Sequence, residues 1–465
     1  MTIGPPRGAI LTAAEMRATE EAAFTEDKPS AYYMDKAGKA VADLAWRIAA
    51  GRSVLILCGP GNNGGDGYIA AHYLKEHGAD VRVVAVIDPK SEGASWARAI
   101  WGGPVEPLAA STKKAAIVVD AIFGTGNRGG LDPAWEDDAL RLLRHADRVI
   151  AVDIPSVIDA DNHNITNAYA AHITLALGAL KPAHVLQPSV RFCGTILLDD
   201  LEFQINSSAA LSPTSKLHPP TADDHKYTRG MVAIIEGTMP GAAALAASAA
   251  MRGGAGYVVL VSNQKHINMP HAIVQRSPSE YHALLEDKRL SALVLGPGLG
   301  RSSMAGKLLT RAMGQSKPLV IDGDALHLLA NIDQQFSGPA ILTPHAGEFD
   351  ALFGKGEGNK IDRTRAAAAE SGAVVIFKGP DTVIAAPDGR VRVAPPAPPW
   401  LASAGTGDVL AGLCGAALAR HPDDALKAAE EAVWLHGEAA RLAGPALIAD
   451  DLIDQLPRAV QRALA

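Results

Sequence analysis

Apolar and polar positions along this chain follow two rhythms in turn. From Leu11 to Ala50 the apolar residues recur at helical spacing, at Met16, Ala23 and Phe24 and then at Met34, Ala37, Val41, Leu44 and Ile48, which predicts two helices ahead of any strand. Short apolar runs come next. Ser53 to Cys58, Val81 to Ile87, Ala115 to Phe123 and Val149 to Ile154 read as strands, and the patterns at Tyr68 to Glu76, Ser91 to Trp101 and Trp135 to His145 read as helices between them. Such alternation specifies a parallel sheet covered by helices on both faces.

The rhythm stops from Asn206 to Asp224, where Ser, Ala, Pro and Thr dominate without an apolar period, and this stretch reads as a linker. It resumes with strands at Met231 to Ile235, Tyr257 to Val261, Leu293 to Leu295, Leu319 to Ile321 and Val374 to Phe377, and with a helix at Gly241 to Arg252. Val383 to Ala386 turns at Pro387, Asp388 and Gly389 into Val391 to Val393, which predicts a hairpin. Asp424 to Leu442 and Ala449 to Leu464 close the chain as helices, the second expected to kink or break at Pro457. The fold class is therefore α/β in two domains, residues 1–205 and 225–465, joined by a linker at 206–224.

Composition narrows the partners. The formal charge is −7 with a pI near 6.1, and no run of Lys and Arg forms a basic stripe, so neither nucleic acid nor an anionic membrane is expected to bind. Met1 to Ile10 lacks an apolar core for a secretory signal, and the small-apolar run Gly241 to Met251 is too short for a bilayer. Cys58, Cys193 and Cys414 are far apart, with no CxxC pair, which points to a reduced, cytoplasmic setting.

Candidate chemistry sits at strand exits. Cys58 runs into Gly59, Pro60, Gly61, Asn62, Asn63, Gly64, Gly65, Asp66 and Gly67, the parts of a phosphate cradle, although the GxGxxG fingerprint is absent. Asp120 precedes Ala121 to Gly126, and Asp153 precedes Ile154, Pro155 and Ser156. At the ligand edge of an open sheet, Asn63, Asp120, Asp153 and Ser156 can converge, and such oxygen and amide ligands suit an alkali or alkaline-earth cation; each acid alone can equally be a helix cap. In the second half, Ala404, Gly405, Thr406, Gly407 and Asp408 open an apolar helical run. Small residues there leave N–H groups free for an anion, and an acid beside that anion has its pKa raised and can act as a base; the ordinary alternative is a first-turn helix acid.

The NNGGDG turn, the VDAIFGTG segment and VDIPS, in this order, resemble the NAD(P)H-hydrate epimerase domains from roughly Leu11 to Phe203. The resemblance implies a Rossmann-like domain that interconverts the epimers of hydrated nicotinamide cofactor and carries potassium. It implies that Asn62, Asn63, Gly64, Gly65 and Asp66, together with Gly124, Thr125, Gly126, Asn127, Arg128, Gly129 and Gly130, hold the dinucleotide. Asn63, Asp120 and Ser156 would hold K+, and Asp153 would contact the hydrated ring and perform acid–base work, with Lys181 in the same neighbourhood. Val157 stands where the family has glycine, and Asp161, Asn162 and His163 replace its D-T-G turn, so this loop is expected to differ.

GGAG at Gly253 to Gly256, GPGLG, TPHAGE, KGPDT and AGTGD resemble the ribokinase-like fold, and within it the nucleotide-dependent NAD(P)H-hydrate dehydratases, from His225 to about Pro457. The resemblance implies that ADP or ATP, with Mg2+, phosphorylates the hydrate hydroxyl and that phosphate is then eliminated. Lys378, Gly379, Pro380, Asp381, Thr382 and Gly407 would hold the nucleotide. Ala255, Gly298, Gly300, His345 and Asp408 would hold the hydrate, Asp408 taking its hydroxyl proton. Gly323 stands where the family usually has alanine. Two other readings stay open: a ribokinase-like small-molecule kinase that keeps its phosphoryl product, and a dehydratase with a non-catalytic, nucleotide-binding N-terminal domain. A homo-oligomer is expected.

Overall fold

The computed structural model describes residues 8–126, 130–162, 165, 167 and 169–464. The chain divides into two compact units, Met1–Ala210 and Leu211–Ala465.

In the first unit β1 (Val54–Cys58), β2 (Val81–Ala85), β3 (Val105–Pro107), β4 (Ile117–Ala121), β5 (Arg148–Val152), β6 (Ile173–Leu177) and β7 (Thr195–Asp199) form one sheet in the order β3-β2-β1-β4-β5-β6-β7. Every pairing is parallel. The order reverses direction between β1 and β4, so a crevice opens at their carboxyl ends. The two leading helices, Ala13–Ala23 and Ser30–Ala49, form as expected, and Met34, Ala37 and Val41 of the second are buried.

The glycine-rich stretch differs from expectation. It is not a loop before a helix at Tyr68; the helix begins at Asn62 and runs to Glu76. Each glycine there costs about 1 kcal/mol of helix propensity against alanine. Close packing explains why they stay: a Cβ would lie 1.9 Å from the Gly59 carbonyl oxygen at Gly64, 2.7 Å from Met34 Sδ at Gly65 and 2.7 Å from Ala121 Cβ at Gly67. The helix then recovers the cost by burying Tyr68, Ile69 and Leu74, about 2 kcal/mol each.

β8 (Ala209–Leu211) lies within the stretch read as a linker, and Leu217 N–H donates to the Ala463 carbonyl at 2.8 Å. In the second unit β9 (Met231–Ile235), β10 (Tyr257–Val261), β11 (Val274–Arg276), β12 (Leu290–Leu295), β13 (Leu319–Ile321), β14 (Ala340–Leu342), β15 (Val374–Phe377), β16 (Val383–Ala385) and β17 (Val391–Val393) lie in the order β11-β10-β9-β12-β13-β14-β15-β16-β17. They pair in parallel up to β15, and the expected hairpin supplies the antiparallel β16 and β17. The switch point falls between β9 and β12. Helix Thr406–Arg420 crosses one face, with Val409 to Ala419 buried.

Helix Ala449–Ala463 runs through Pro457 without interruption. The missing hydrogen bond costs about 3 kcal/mol. Burial of Leu452 and Leu456, each worth about 2 kcal/mol, outweighs it, while Pro457 itself faces solvent. Among the described residues no helix is long and apolar enough to cross a membrane.

One glycine reports how tightly the second core is packed. A Cβ at Gly412 would lie 2.1 Å from the Ala246 carbonyl oxygen of the facing helix Pro240–Arg252. Gly412→Ala is expected to destabilise the protein by about 2 kcal/mol, read as a lower urea midpoint with an unchanged m-value.

Candidate functional site

A cavity of about 680 Å³ opens at the carboxyl ends of β1 and β4, and Glu20, Asn62, Asn63, Asp66, Thr125 and Asp153 are among its lining residues. Asp153 follows β5 with φ +64°, a left-handed conformation that costs a non-glycine residue energy and is tolerated best by Asn and Asp. Two side chains hold it there. Lys181 Nζ, almost fully buried, donates to Asp153 Oδ1 at 2.5 Å and to the Leu177 carbonyl at 2.7 Å. His184 Nε2 donates to the Asp153 carbonyl at 2.7 Å while its Nδ1 accepts from Lys181 N–H at 3.0 Å. Burial, and then the Lys181 charge, bring the His184 pKa down to about 4, so the ring is neutral and this tautomer is fixed.

Asp66 and Glu20 add two more carboxyls. Burial pushes the Asp66 pKa well up, and the charges of Asp153 and Glu20 push it further. Burial also raises Glu20, with Lys181 opposing and Asp153 adding to the rise. Glu20 escaped the sequence reading because it lies in a surface-patterned helix; only tertiary packing brings that helix over the crevice.

Asp120 is fully buried. Its Oδ1 accepts from Ser156 Oγ at 2.6 Å and Ile122 N–H at 3.1 Å, and its Oδ2 accepts from Ser156 N–H at 2.8 Å and from the Tyr169 hydroxyl. Among the described residues no cation pairs with it, and burial holds its pKa above the ordinary value despite those donors. Phe123 N–H donates to Ser156 Oγ at 2.8 Å, and a Cβ on the next residue, Gly124, would lie 3.2 Å from both Asn63 Oδ1 and Asp153 Oδ2. The loop after β4 therefore links the buried Asp120–Ser156 pair to the cavity. Asn63 Nδ2 is buried without a partner; turning the amide over would present an oxygen at that place. An uncompensated buried carboxylate and an orphaned amide fit a monovalent cation with oxygen ligands.

Gly124, Thr125 and Gly126 line the cavity and Gly130 follows with φ +86°, whereas Asn127, Arg128 and Gly129, like His163, lie outside the described residues. Val157 takes no positive φ and is buried among apolar residues that include Ile154 and Trp135, so the substitution is accommodated by packing.

In the second unit the strand exits gather a charged cluster. Lys378, after β15, donates from Nζ to Asp322 Oδ1 at 2.8 Å, and Thr343 Oγ1 donates to the same oxygen at 2.6 Å. Burial disfavours the Lys378 charge, but Asp322, Glu348 and Asp408 outweigh it and raise the pKa. A Cβ at Gly407 would lie 3.5 Å from Lys378 Nζ, so the lysine sits against the first turn of helix Thr406–Arg420. Gly405 enters that helix with φ +86°.

Asp408 is half-buried in the same turn. Among the described residues its carboxylate has no hydrogen-bond partner, so it does not cap the helix, although it stands in the first turn, where an acid is also favoured by the helix dipole. Burial, then the neighbouring Asp322 charge, raise its pKa to about 6, with Lys378 opposing. His436 Nε2 donates to the Thr406 carbonyl at 2.9 Å; burial lowers its pKa to about 4, leaving it neutral. Free first-turn N–H groups, a lysine and an unpartnered carboxylate thus share one sheet edge.

Lys360 supports the neighbouring loop. Its Nζ donates to Asp381 Oδ1 at 2.8 Å and sits 4.4 Å from the Phe377 ring centroid, and burial lowers its pKa. Gly379 N–H donates to Thr382 Oγ1 at 3.2 Å, and Thr382 Oγ1 donates back to the Gly379 carbonyl at 2.8 Å, closing the turn around Pro380. Lys360 carries no sequence signal of its own.

Gly298 and Gly300 follow β12 at the same edge with φ +60° and +77°, and Gly300 N–H donates to Asp324 Oδ2 at 2.9 Å. Gly323 has φ +51°, a conformation that favours glycine over alanine. His345 is exposed at the start of helix Ala346–Phe353, its Nδ1 accepting from Glu348 N–H at 3.2 Å. Ala255 is not brought to this cluster: it is buried in the turn before β10, at the opposite edge of the sheet. The small residues near Gly298 are instead those of the helix start after β9, where a Cβ on Gly298 would lie 3.1 Å from Ala242 Cβ. A strand exit followed by Pro240, Gly241 and Ala242 was the available signal.

Comparison with known proteins places both units. Residues 232–461 match the family model described as NAD(P)H-hydrate dehydratase, and residues 30–183 match that of the YjeF-related protein N-terminus. The Bifunctional NAD(P)H-hydrate repair enzyme Nnr of Mycobacterium tuberculosis is 34% identical over 387 residues, covering 79% of each chain. Its counterpart in Pyrobaculum aerophilum is 32% identical over 500 residues, 97% of this chain and 98% of that one. Among solved structures, a ribokinase-like superfamily protein from Enterococcus faecalis superposes with a TM-score of 0.51 at 22% identity over 56% of this chain and 99% of that chain, a likeness of fold. With relatives of that identity and coverage, the chain belongs to the bifunctional NAD(P)H-hydrate repair enzymes.

Proposed function

We propose that the two activities of this family are divided between the two units: residues 1–205 epimerise hydrated NADH or NADPH, and residues 225–465 dehydrate one epimer at the expense of ADP or ATP. The unpartnered, half-buried Asp408 carboxylate beside Lys378 carries the reading. In the second unit Asp408 accepts the proton of the hydrate hydroxyl as its oxygen attacks the terminal phosphorus, and the nucleotide leaves one phosphate shorter. Lys378 and the helix-start N–H groups stabilise the charge that develops on the transferring group. The phosphate ester then breaks its C–O bond to carbon while the neighbouring carbon loses a proton, restoring the reduced nicotinamide. Lys378, Gly379, Pro380, Asp381, Thr382 and Gly407 hold the nucleotide, and Gly298, Gly300 and His345 face the hydrate with Asp408. Mg2+ arriving with the nucleotide and held mainly by its phosphates would supply charge neutralisation there.

In the first unit Asp153 is the base at the epimerising carbon, held by Lys181, and Asn62 to Asp66 and Gly124 to Gly130 line the dinucleotide. K+ held by Asn63, Asp120 and Ser156 would neutralise Asp120 and fix the loop after β4. The mildly acidic surface and three buried, unpaired cysteines support a cytoplasmic setting for this small-molecule chemistry.

Incubation with hydrated NADH and ADP or ATP is expected to restore the near-ultraviolet absorbance of reduced nicotinamide; no recovery with either nucleotide refutes the reading. Asp408→Asn is expected to abolish turnover, keep nucleotide affinity and melt no lower than the parent, because a carboxylate whose pKa is raised by folding destabilises the folded state once ionised. The same shift sets the acid limb: kcat/KM should fall as pH drops through about 6, where the base becomes protonated. Asp153→Asn should leave recovery running only until the dehydratase's own epimer is consumed, as chromatography of the residual hydrate would show. Lys360→Met should raise KM for nucleotide about tenfold with little change in kcat, since it loosens the loop without touching Asp408.

A further inference from the structure

The leading helix Ala13–Ala23 is fixed to the segment that carries Lys181. Leu11 N–H donates to the Leu180 carbonyl at 2.8 Å, and Ala13 N–H donates to Asp161 Oδ1 at 2.7 Å. Met16 is buried against Gly178, where a Cβ would lie 2.4 Å from the methionine Cε. Glu20 stands four residues after Met16, one turn further along the same helix face. The face that rests on Gly178 therefore carries Glu20 into the cavity that Asp66 and Asp153 also line.

That place is a costly one for a carboxyl. Glu20 is half-buried in the last turn of its helix, the end at which the dipole disfavours an anion, and the turn contains no basic residue. Among the described residues neither Glu20 nor the buried Asp66 has a hydrogen-bond or ion-pair partner. Burial raises the Glu20 pKa; Lys181 and Arg17 oppose the rise, and Asp153 and Glu21 add to it. Three carboxyls from three elements thus meet one buried lysine, and that lysine is already paired with Asp153. Glu20 and Asp66 are left to hold protons. Such a cluster repels phosphate and suits the uncharged hydrated ring of the substrate. Phe24, Tyr33 and Phe203 line the same cavity, Tyr33 stacked on Phe203 with centroids 4.7 Å apart, which gives a ring a flat apolar wall.

We infer that Glu20 is a second catalytic residue of the first unit, the acid that protonates the hydroxyl of the hydrated ring while Asp153 works as base on the other face. The inference rests on the assignment of epimerisation to this unit. Water added to the double bond beside the ring nitrogen leaves its hydroxyl on the carbon bonded to that nitrogen. Glu20 gives its proton to this oxygen, the C–O bond breaks, water leaves and the nitrogen lone pair forms a C=N bond. A water on the other face then bonds to the carbon, its proton passing to Asp153 as the electron pair returns to nitrogen. Asp153 releases that proton to solvent and Glu20 takes one back, so nothing is consumed. Asp66 lies deeper; Glu20, which solvent reaches, can be reprotonated between turnovers.

The test follows epimer interconversion by chromatography, starting from NADH hydrate enriched in one epimer, with the full chain and no nucleotide. Glu20→Gln is expected to lower kcat about a hundredfold while KM stays within about twofold, and Glu20→Asp, which keeps the carboxyl, should run about tenfold faster than Glu20→Gln. The Gln variant should melt no lower than the parent, because a carboxyl whose pKa folding raises is better replaced by a neutral group. Parental kcat in Glu20→Gln, a loss confined to KM, or Glu20→Asp no faster than Glu20→Gln would each overturn the proposal. A parent that does not interconvert the epimers refutes the epimerase reading itself, and this inference with it.

Discussion

Both units depend on backbone meeting backbone where neighbouring strands end. A Cβ at Gly59, after β1, would lie 1.8 Å from the Ile122 carbonyl oxygen after β4. A Cβ at Gly296, after β12, would lie 1.7 Å from the Asp322 carbonyl oxygen after β13, and one at Gly237, after β9, would lie 2.0 Å from that of Leu299. No side chain fits at these crossings. Only glycine lets the loops close in, and only closed loops bring Asp322 and Lys378, or Phe123 and Ser156, within hydrogen-bond distance of each other.

On that frame the two units repeat one electrostatic arrangement. A strand-end aspartate is paired with a lysine, Asp153 with the buried Lys181 and Asp322 with the half-buried Lys378. Each pair has beside it a carboxyl that burial drives toward its neutral form, Asp66 in one unit and Asp408 in the other. The pair fixes a charge in place, and burial together with the charge of the paired aspartate raises the pKa of the neighbour. The cost is stability, because an ionised Asp408 without a partner is held in place by packing of its helix alone.

Much of this was legible in the residues. Period-two and helical patterns gave β1, β2, β4, β5 and most of the second sheet, and the motifs at the strand exits gave Asp153, Lys378 and Asp408. What escaped had no local signature. Glu20 and Lys360 act through burial, which depends on distant partners. Ala255 shared its glycine-rich surroundings with true strand exits, yet its turn precedes a strand, and chain direction at a sheet edge cannot be read from the composition of one turn.

The helix at Asn62 draws the line most clearly. The sequence by itself determined that a dense glycine run follows β1 at the ligand edge, because strand pattern and turn residues are local properties. Only the tertiary structure decided that Asn62 to Gly67 are helical, since the gain comes from seating Gly64, Gly65 and Gly67 against Gly59, Met34 and Ala121. The same division holds at Asp408. Its type and place in a helix start were written in the chain, but its raised pKa rests on burial and on the Asp322 charge, which exist only once β13, β15 and helix Thr406–Arg420 have come together.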